Sequence, residues 1–366
     1  MTAFPKFTDE GIADLRSLIG IERKITSYHN SEVCRDNIRR FALGSGDDNP
    51  LWLDEEYARG TCWGGIIAPP CFIRTLGIPL PQKLPGVHAQ FAGEEFHFDK
   101  PVRLGDRITA SLSLVDVVEK ESSFAKRTFH EIEEVKYLNQ DGDQVSRYRR
   151  LYIRHERDSS RARRKYEDIQ PAMWTPEDLR RFENYCLSEK RQGAVLRRWE
   201  DIEIDEEIPL RLRGPLTVSD VLWHYIAEGG IPFSYGMGLS YKMKKKQPAW
   251  FIVNSQGAYE AIPSCHWDWD FAKRIGAPGP YDTPSLRSAC ISFMITDWIG
   301  DNGWLKQLSV ESRRFMILGD IIYYKGKVVD KYIQEDQYLA KLEIWGENQR
   351  GECTTQSQAV VALPSR

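Results

Sequence analysis

The sequence predicts an α+β protein in which one supersecondary unit is used twice. Segments 51–59 and 265–273 match at an offset of 214 residues, and Pro70 matches Pro284 in the same register without a gap. In each half, helical patterns precede four runs typical of antiparallel strands. The remaining matches at this offset are 104–108 with 318–322, and Asp116 with Asp330. Self-similarity at a fixed offset indicates two units of equal topology that pack as a pseudo-dimer.

Helix signals fill the start of the first half, and strand signals fill its end. Thr8 is a good N-cap for a helix that begins there, and 32–43 is a second helical stretch ended by glycines. A proline pair opens a helix, Cys71 to Leu76, because proline suits a first turn. From 88 to 153, four runs rich in Val, Phe and Tyr are separated by turn residues. This order predicts a sheet wrapped around an apolar helix.

The second half repeats that plan after a highly charged connector. We place the first unit at 1–155, the connector at 156–198 and the second unit at 199–366. A capped helix is predicted at 217–227, and a strongly apolar helix at 285–299. The strands of this unit are predicted near 308–315, 321–330, 338–345 and 354–363. We therefore expect each half to contain one long apolar helix cradled by an antiparallel sheet.

The composition is that of an ordinary water-soluble globular protein. Hydrophobic residues make up 41% and charged residues 28%, and the net charge of -3 gives no reason to expect nucleic acid as a partner. No apolar run approaches the ~20 residues that span a bilayer, and the N-terminus has no export signal. The seven cysteines are scattered without a CxxC pair, which argues against disulfides and a zinc site. We expect a cytoplasmic protein with no metal and no membrane partner.

Several motifs carry a family resemblance. FALGSGDDNPLWLDEEYARG followed by GGIIAPPCF resembles the N-terminal unit of MaoC-like double-hotdog dehydratases, and FHFDKPVRLGDRITASLSLVDV resembles the strand pair that follows it. RGPLTVSDVLWHYIAEGG, SCHWDWDFAKRIGAPGPYD and FMILGDIIYYKGKVVDK resemble the second hotdog unit. The resemblance covers nearly the whole chain apart from the connector. It implies a double hotdog, in which two antiparallel sheets each wrap around a central helix.

The same resemblance implies an (R)-specific enoyl-thioester hydratase or dehydratase, a hydro-lyase. Hydration of a 2-enoyl thioester needs a base that deprotonates water, a proton delivered to C2, and donors that stabilise the enolate-like oxygen. The family motif GDxNPxHxD supplies a catalytic Asp and a catalytic His for this work. We expect an acyl-CoA substrate, no cofactor beyond that thioester, and a homodimer or higher homo-oligomer.

Residue by residue, the family motif is split between the copies. Copy one keeps Asp47 at the position of the catalytic Asp but has Trp52 at that of the His, and Trp cannot act as a base. Copy two keeps His266, but Ala261 replaces the Asp and a carboxylate lies one residue earlier, at Glu260. We therefore expect copy two to be the active half, with His266 and Glu260 as catalytic residues that face a common cavity.

Each of these residues also has a structural interpretation. His266 could be an interior histidine bonded to a backbone carbonyl, and Glu260 could point to solvent. Asp268 is a natural N-cap of a short helix, although it could support catalysis. Asp47 could form an Asx turn in copy one. Pro284 has no N–H for the thioester oxygen, so Ser285 or another amide would have to donate.

Two further interpretations stay open at this level. A roughly 29-residue insertion between Gly230 and Tyr259 carries Lys244, Lys245 and Lys246. These lysines, and the arginines of 161–164, could grip the phosphates of coenzyme A or simply form a solvated surface. The alternative function is a hotdog thioesterase, or an acyl-thioester binding subunit without hydratase activity.

Overall fold

A computed structural model describes residues 6–26, 29–76, 83–84, 87–121, 127–156, 169–232, 236 and 238–366. The α-helices are α1 (Asp9–Arg16), α2 (Arg35–Gly44), α3 (Pro50–Leu53), α4 (Glu55–Arg59), α5 (Pro176–Ser188), α6 (Val218–Ala227), α7 (Leu239–Lys246), α8 (Trp269–Arg274) and α9 (Pro284–Ile299). Short 3₁₀ helices occur at Pro70–Thr75, Trp199–Asp201, Pro248–Trp250 and Ile262–His266. The arginine cluster at 161–164 lies outside the described residues.

The strands complete two units of the same design. In the first half they are β1 (Glu22–Lys24), β2 (His88–Phe98), β3 (Thr109–Lys120), β4 (Thr128–Leu138) and β5 (Gln144–His155). In the second half they are β6 (Glu207–Arg213), β7 (Phe251–Val253), β8 (Tyr259–Ala261), β9 (Trp304–Ser312), β10 (Ile322–Gln334), β11 (Gln337–Asn348) and β12 (Cys353–Ala362). The four predicted runs of each half are therefore strands, and β1 and β6 are edge strands that the sequence did not reveal.

The two halves share one antiparallel sheet. Its order across the described residues is β1-β3-β4-β5-β2-β9-β12-β11-β10-β6, so each half repeats the same strand order outward from the centre. The halves join where β2 pairs with β9, with Phe96 opposite Leu308. Strands β7 and β8 form a separate hairpin within the insertion. This arrangement confirms the prediction of a double hotdog with two units of equal topology.

Helix α9 is the central helix of the second half. All of its residues are buried except Pro284 and Leu286, so the helix is covered on nearly every side and packs inside the sheet. The helix ends at Ile299, and its C-cap is Gly300 with a φ of 72°, which favours glycine. Its core is continuous with that of the first half, because buried side chains of both halves belong to one cluster. The expected long helix from Ser285 onward is confirmed.

The corresponding helix of the first half is much shorter than we predicted. Instead of a long helix from Cys71 onward, the described chain has a six-residue 3₁₀ helix, Pro70–Thr75. The sequence continues with Gly77, Pro79 and Pro81, and prolines remove the amide that a helix interior needs. The prediction of a long central helix in this half was wrong because it gave too little weight to these residues.

The connector packs on the second half. Phe182 of α5 is buried against Leu212 and Ile321, and the Trp174 indole donates to the Gly319 carbonyl (2.7 Å). The assignment of 156–198 to a unit of its own stays a prediction. Within the described residues, no helix is both long and apolar enough to cross a membrane.

Candidate functional site

His266 lies at the end of the 3₁₀ helix Ile262–His266 and is only 9% exposed. Its Nδ1 is 2.7 Å from the carbonyl oxygen of Tyr281. Because a carbonyl can only accept, the ring proton must be on Nδ1, and Nε2 of the neutral ring then carries the lone pair. The ring contacts Tyr281 and Tyr225 edge-on, with centroids 4.5 and 5.8 Å away. His266 is therefore held in the tautomer that a general base requires.

The surroundings of His266 favour its protonated form. Burial alone would lower the pKa of the ring, but Cys265, the Tyr281 carbonyl and the Asp282 carboxylate raise it above its ordinary value. The imidazole is thus a stronger base than an exposed histidine would be. The structural interpretation of His266 also included a bond to a backbone carbonyl. The bond is therefore compatible with a purely structural histidine and with a general base.

Glu260 lies on β8, one residue before Ala261, the residue that the motif alignment matches to the family's catalytic Asp. The Glu260 carboxylate accepts from the Trp267 indole (3.0 Å) and from the Asn254 amide (3.2 Å). The described contacts place no hydrogen bond between Glu260 and His266. The proposed relay between the two side chains stays a prediction.

Two further residues from the sequence have clear local partners. Asp268 is the N-cap of α8 and accepts from the Phe271 amide (2.9 Å), as its structural interpretation predicted. Ser285 lies in the first turn of α9, where its Oγ is 3.0 Å from Nε2 of His224 and 3.1 Å from Glu228. Ser285 therefore belongs to a polar network that links the first turn of α9 to α6.

The sequence did not reveal this network, which crosses the boundary between the halves. His224 is fully buried, and its Nδ1 lies 3.0 Å from the hydroxyl of Ser45 in the first half. Glu228 lies 3.6 Å from Arg74, which also lies 3.5 Å from the buried Glu94. His224 on α6 and Glu228 at its C-cap are spaced i, i+4, and that spacing was the available signal.

This network does not have the geometry of a nucleophilic triad. In a triad the acid and the nucleophile bind opposite nitrogens of the histidine. Here Ser285 and Glu228 both lie on the Nε2 side of His224, at 3.0 and 3.7 Å. The partner of Nδ1 is the Ser45 hydroxyl, not a carboxylate. Burial also lowers the pKa of His224, so the ring stays neutral. The arrangement positions Ser285 rather than activating it.

In copy one, the motif residues are bonded to one another. The Trp52 indole donates to Oδ2 of Asp47 (2.7 Å). The backbone N–H of Asn49 donates to Oδ1 (2.9 Å) in the predicted Asx turn. Arg191 of the connector lies 3.4 Å from the same carboxylate and also binds Asp297 of α9. Burial, and then the charge of Asp297, raise the pKa of Asp47 to about 6. Both carboxylate oxygens of Asp47 are therefore bonded within the protein, by Asn49 and by Trp52.

The first turn of α9 is the remaining part of the candidate site. The N-cap, Thr283, makes no side-chain bond to the helix amides, and Pro284 at the first position has no N–H. The Ser285 amide is the first N–H of the helix, at the positive end of its dipole. An anion or a polarised carbonyl oxygen is stabilised at such a terminus.

Comparisons with known proteins identify the family of the chain. Residues 17–148 match the family model of the FAS1-like dehydratase domain region. A UPF0336 protein of a Parafrankia species is 30% identical over 105 residues, which are 26% of this chain and 70% of that protein. The (R)-specific enoyl-CoA hydratase of Rhodospirillum rubrum is 30% identical over 101 residues, 26% of this chain and 67% of that protein.

Solved structures match over nearly the whole length. A MaoC-like dehydratase superposes with a TM-score of 0.67 at 14% identity, covering 96% of this chain and all of the other. A double-hotdog protein of Mycobacterium tuberculosis superposes with a TM-score of 0.54 at 11% identity, covering 94% and 96%. These two likenesses concern the fold. The chain spans about three fifths to seven tenths of the length of the curated relatives that it matches. The chain belongs to the MaoC-like double-hotdog dehydratase family, which includes the (R)-specific enoyl-CoA hydratases.

Proposed function

We propose that the protein adds water to, or removes it from, an acyl-CoA thioester, and that the second half carries the reaction. The observation on which this rests is His266, whose tautomer is fixed by the Tyr281 carbonyl (2.7 Å) at the motif position of the family's base. The first half has a structural role in this proposal, because Trp52 and Arg191 bind the carboxylate of Asp47.

In the hydration direction, Nε2 of His266 takes a proton from a water molecule whose oxygen bonds to C3 of the enoyl thioester. A proton then reaches C2, so the net change is the addition of one water. Amides in the first turn of α9, beginning with Ser285, stabilise the negative charge that develops on the thioester oxygen. Dehydration is the reverse sequence. Glu260 is the proposed carboxylate partner of His266 in moving these protons.

The insertion supports coenzyme A as the carrier. Between Glu228 and Glu260 the chain has four lysines and no acidic residue. Three of these lysines end α7, none of whose residues is buried, and Nζ of Lys244 lies 3.6 Å from the ring centre of Tyr259. The phosphates of coenzyme A are attracted to such a surface, and its adenine stacks on exposed aromatic rings.

A panel of 2-enoyl-CoA and 3-hydroxyacyl-CoA esters of both configurations tests the proposal. Mass spectrometry after incubation should show the gain or loss of one water for (R)-configured substrates. The variant His266→Ala is the matched control and should leave the panel unchanged. If wild-type protein leaves every ester unchanged while it retains its fold, hydro-lyase activity is excluded for those esters.

A second candidate is an acyl-thioester binding subunit or a thioesterase. It is favoured by Ala261, which deprives the motif of its carboxylate, and by Pro284, which lacks an N–H. The same panel separates these functions. Release of the free thiol of coenzyme A identifies a thioesterase, whereas saturable binding without any product identifies a binding subunit.

A further inference from the structure

The His266 ring is oriented by one backbone peptide group, and that group is held at both of its ends. The carbonyl of Tyr281 accepts from Nδ1 of His266 (2.7 Å). The N–H of the same peptide group belongs to Asp282 and donates to the Met316 carbonyl (2.9 Å). Because a peptide group is planar, the direction of its carbonyl is fixed when its N–H is fixed. The orientation of the His266 ring therefore depends on where Asp282 is held.

Arg287, the fourth residue of α9, holds the side chain of Asp282. Its Nε donates to Oδ2 of Asp282 (2.5 Å) and its Nη2 donates to Oδ1 (2.6 Å), so the two groups form a bidentate pair. Its Nη1 donates to the carbonyl of Thr354 (2.9 Å) on β12. Through Arg287, the peptide group that orients His266 is connected to the sheet.

The guanidinium group of Arg287 is fully engaged within the protein. Each of its three nitrogens has a partner, and only 3% of the residue is exposed. Asp282 is buried to the same degree, with 2% exposed. An anionic group of a ligand would have to displace Asp282 to bind this guanidinium in the same bidentate manner. Arg287 can therefore influence the reaction only through the groups that it positions.

Stability alone does not account for this pair. The cost of desolvating two charges offsets much of their attraction, and well-packed apolar residues in their place are often as stable. A cation near the N-terminus of a helix is also unfavourable, because the helix dipole places positive charge there. What a planar guanidinium provides, and an apolar side chain cannot, is one fixed geometry for the carboxylate of Asp282.

We propose that Arg287 is a positioning residue for the base. Its bidentate bond to Asp282 fixes the peptide group between Tyr281 and Asp282, and that group keeps the ring proton of His266 on Nδ1. This inference rests on the proposed function, in which Nε2 of His266 accepts a proton from water. Without the bidentate bond, the ring loses the acceptor that selects its tautomer, and a neutral ring with its proton on Nε2 cannot act as that base.

NMR of the imidazole nitrogens, in free protein labelled at histidine, measures the tautomer directly. The chain has seven histidines, and the spectrum of His266→Ala identifies which signals belong to His266. At a pH where the ring is neutral, the wild type should carry the proton on Nδ1. Arg287→Gln should give a mixture of the two tautomers, and its kcat should fall about tenfold while KM stays the same, because the base is misplaced.

Two further variants separate geometry from charge and from folding. Arg287→Lys keeps the charge but has no planar fork, so its tautomers should resemble those of Arg287→Gln rather than those of the wild type. Asp282→Asn/Arg287→Gln leaves no uncompensated charge in the interior, so it should fold even if the single variants do not. This double variant should also show both tautomers.

Arg150→Gln is the matched control. Arg150 is also 3% exposed and binds the carboxylate of Glu133 (2.5 Å), but it lies on β5 in the first half. Its loss should destabilise the protein and leave the tautomer of His266 and kcat unchanged. A ring that keeps its proton on Nδ1 in Arg287→Lys or in the double variant would overturn the proposal. Because the NMR measurement needs no substrate, inactivity toward every ester would refute the proposed function without changing this result.

Discussion

A histidine is an effective general base when its environment fixes the ring proton on one nitrogen and raises the basicity of the other. In His266 the Tyr281 carbonyl performs the first task (2.7 Å), and the Asp282 carboxylate contributes to the second. Neither partner is close in sequence to His266, since both lie beyond α8. The motif register identified His266 as the candidate base, whereas only the fold shows what orients its ring.

The first prediction at the residue scale separates the two copies. His266→Ala should reduce the rate of hydration or dehydration by at least ~100-fold, because a positioned base contributes about that much or more. Trp52→Phe removes the indole that donates to Asp47 (2.7 Å). It should leave the rate nearly unchanged and lower the free energy of unfolding by about 1–3 kcal/mol, because a buried acceptor loses its donor. Equal loss of rate in both variants, with folding intact, would contradict the assignment of the reaction to copy two.

The second prediction concerns pH. The pKa of His266 is raised, so the ring of the free enzyme protonates at a higher pH than an ordinary histidine, whose pKa is about 6.5. Because the base must be neutral to accept a proton, kcat/KM should fall as pH decreases, and this fall should be centred above the ordinary histidine value. A profile measured with a small enoyl thioester checks this. A fall centred at or below the ordinary value argues against His266 as the base.

Several side chains could be assigned from sequence because their partners are local. The N-cap role of Asp268 and the Asx turn of Asp47 depend on amides two or three residues away. Arg74 and Glu228 were not identified, because they meet only when the two halves pack. No local pattern contains a contact between residues more than 150 positions apart.

At the scale of elements, the close approach of α2 and α6 shapes the junction of the halves. A Cβ at Gly44 would lie 2.7 Å from the Ala227 Cβ and 3.0 Å from the Trp223 carbonyl oxygen. Glycine therefore allows the two helices to touch at the junction of the halves. The sequence assigned Gly44 to a helix end, which is correct, but the packing role depends on a helix about 180 residues later.

A substitution at this contact provides the third prediction. Gly44→Val should lower the free energy of unfolding by about 1–3 kcal/mol, since the added methyl groups must push α6 away. Urea denaturation measures the change. Gly65→Val is the matched control, because a Cβ at Gly65 meets nothing within 4 Å. A Gly44 variant as stable as the Gly65 variant would show that the helices can separate without loss.

At the scale of the whole molecule, the two halves share one sheet and one apolar core. Strands β2 and β9 continue the sheet across the midline, and one apolar cluster contains side chains of both halves. The repeat in the sequence revealed the two units and their equal topology. It did not reveal that they share a sheet, because the pairing of β2 with β9 has no signature within either strand.

This continuity leads to the fourth prediction. Thermal unfolding should occur in one transition, with the calorimetric and van't Hoff enthalpies in agreement, because neither half can lose its edge of the sheet without exposing the shared core. Differential scanning calorimetry is the direct measurement. Two resolved transitions would indicate that the halves unfold independently in spite of the shared sheet.

The last prediction follows from the uneven distribution of charge along the chain. The chain as a whole has a net charge of -3, yet the stretch between Glu228 and Glu260 has four lysines and no acid. A cationic surface on an otherwise acidic molecule attracts a polyanion locally and repels it elsewhere. If this surface holds the nucleotide end of coenzyme A, Lys244→Gln/Lys245→Gln should raise KM for an enoyl-CoA several-fold and leave kcat unchanged. The attraction should also weaken with salt, since none of these lysines is buried.

Two controls test whether the lysines bind the nucleotide of coenzyme A. The N-acetylcysteamine thioester of the same acyl group lacks the nucleotide and its phosphates, so its KM should be the same in wild type and in the double variant. Exchange of Lys306 and Lys341 for Gln, on strands of the shared sheet, gives a variant of equal charge and should affect neither substrate. A parallel rise in KM for both thioesters would show that the lysines act on the acyl site or on folding, and the nucleotide would then have to be bound elsewhere on the molecule.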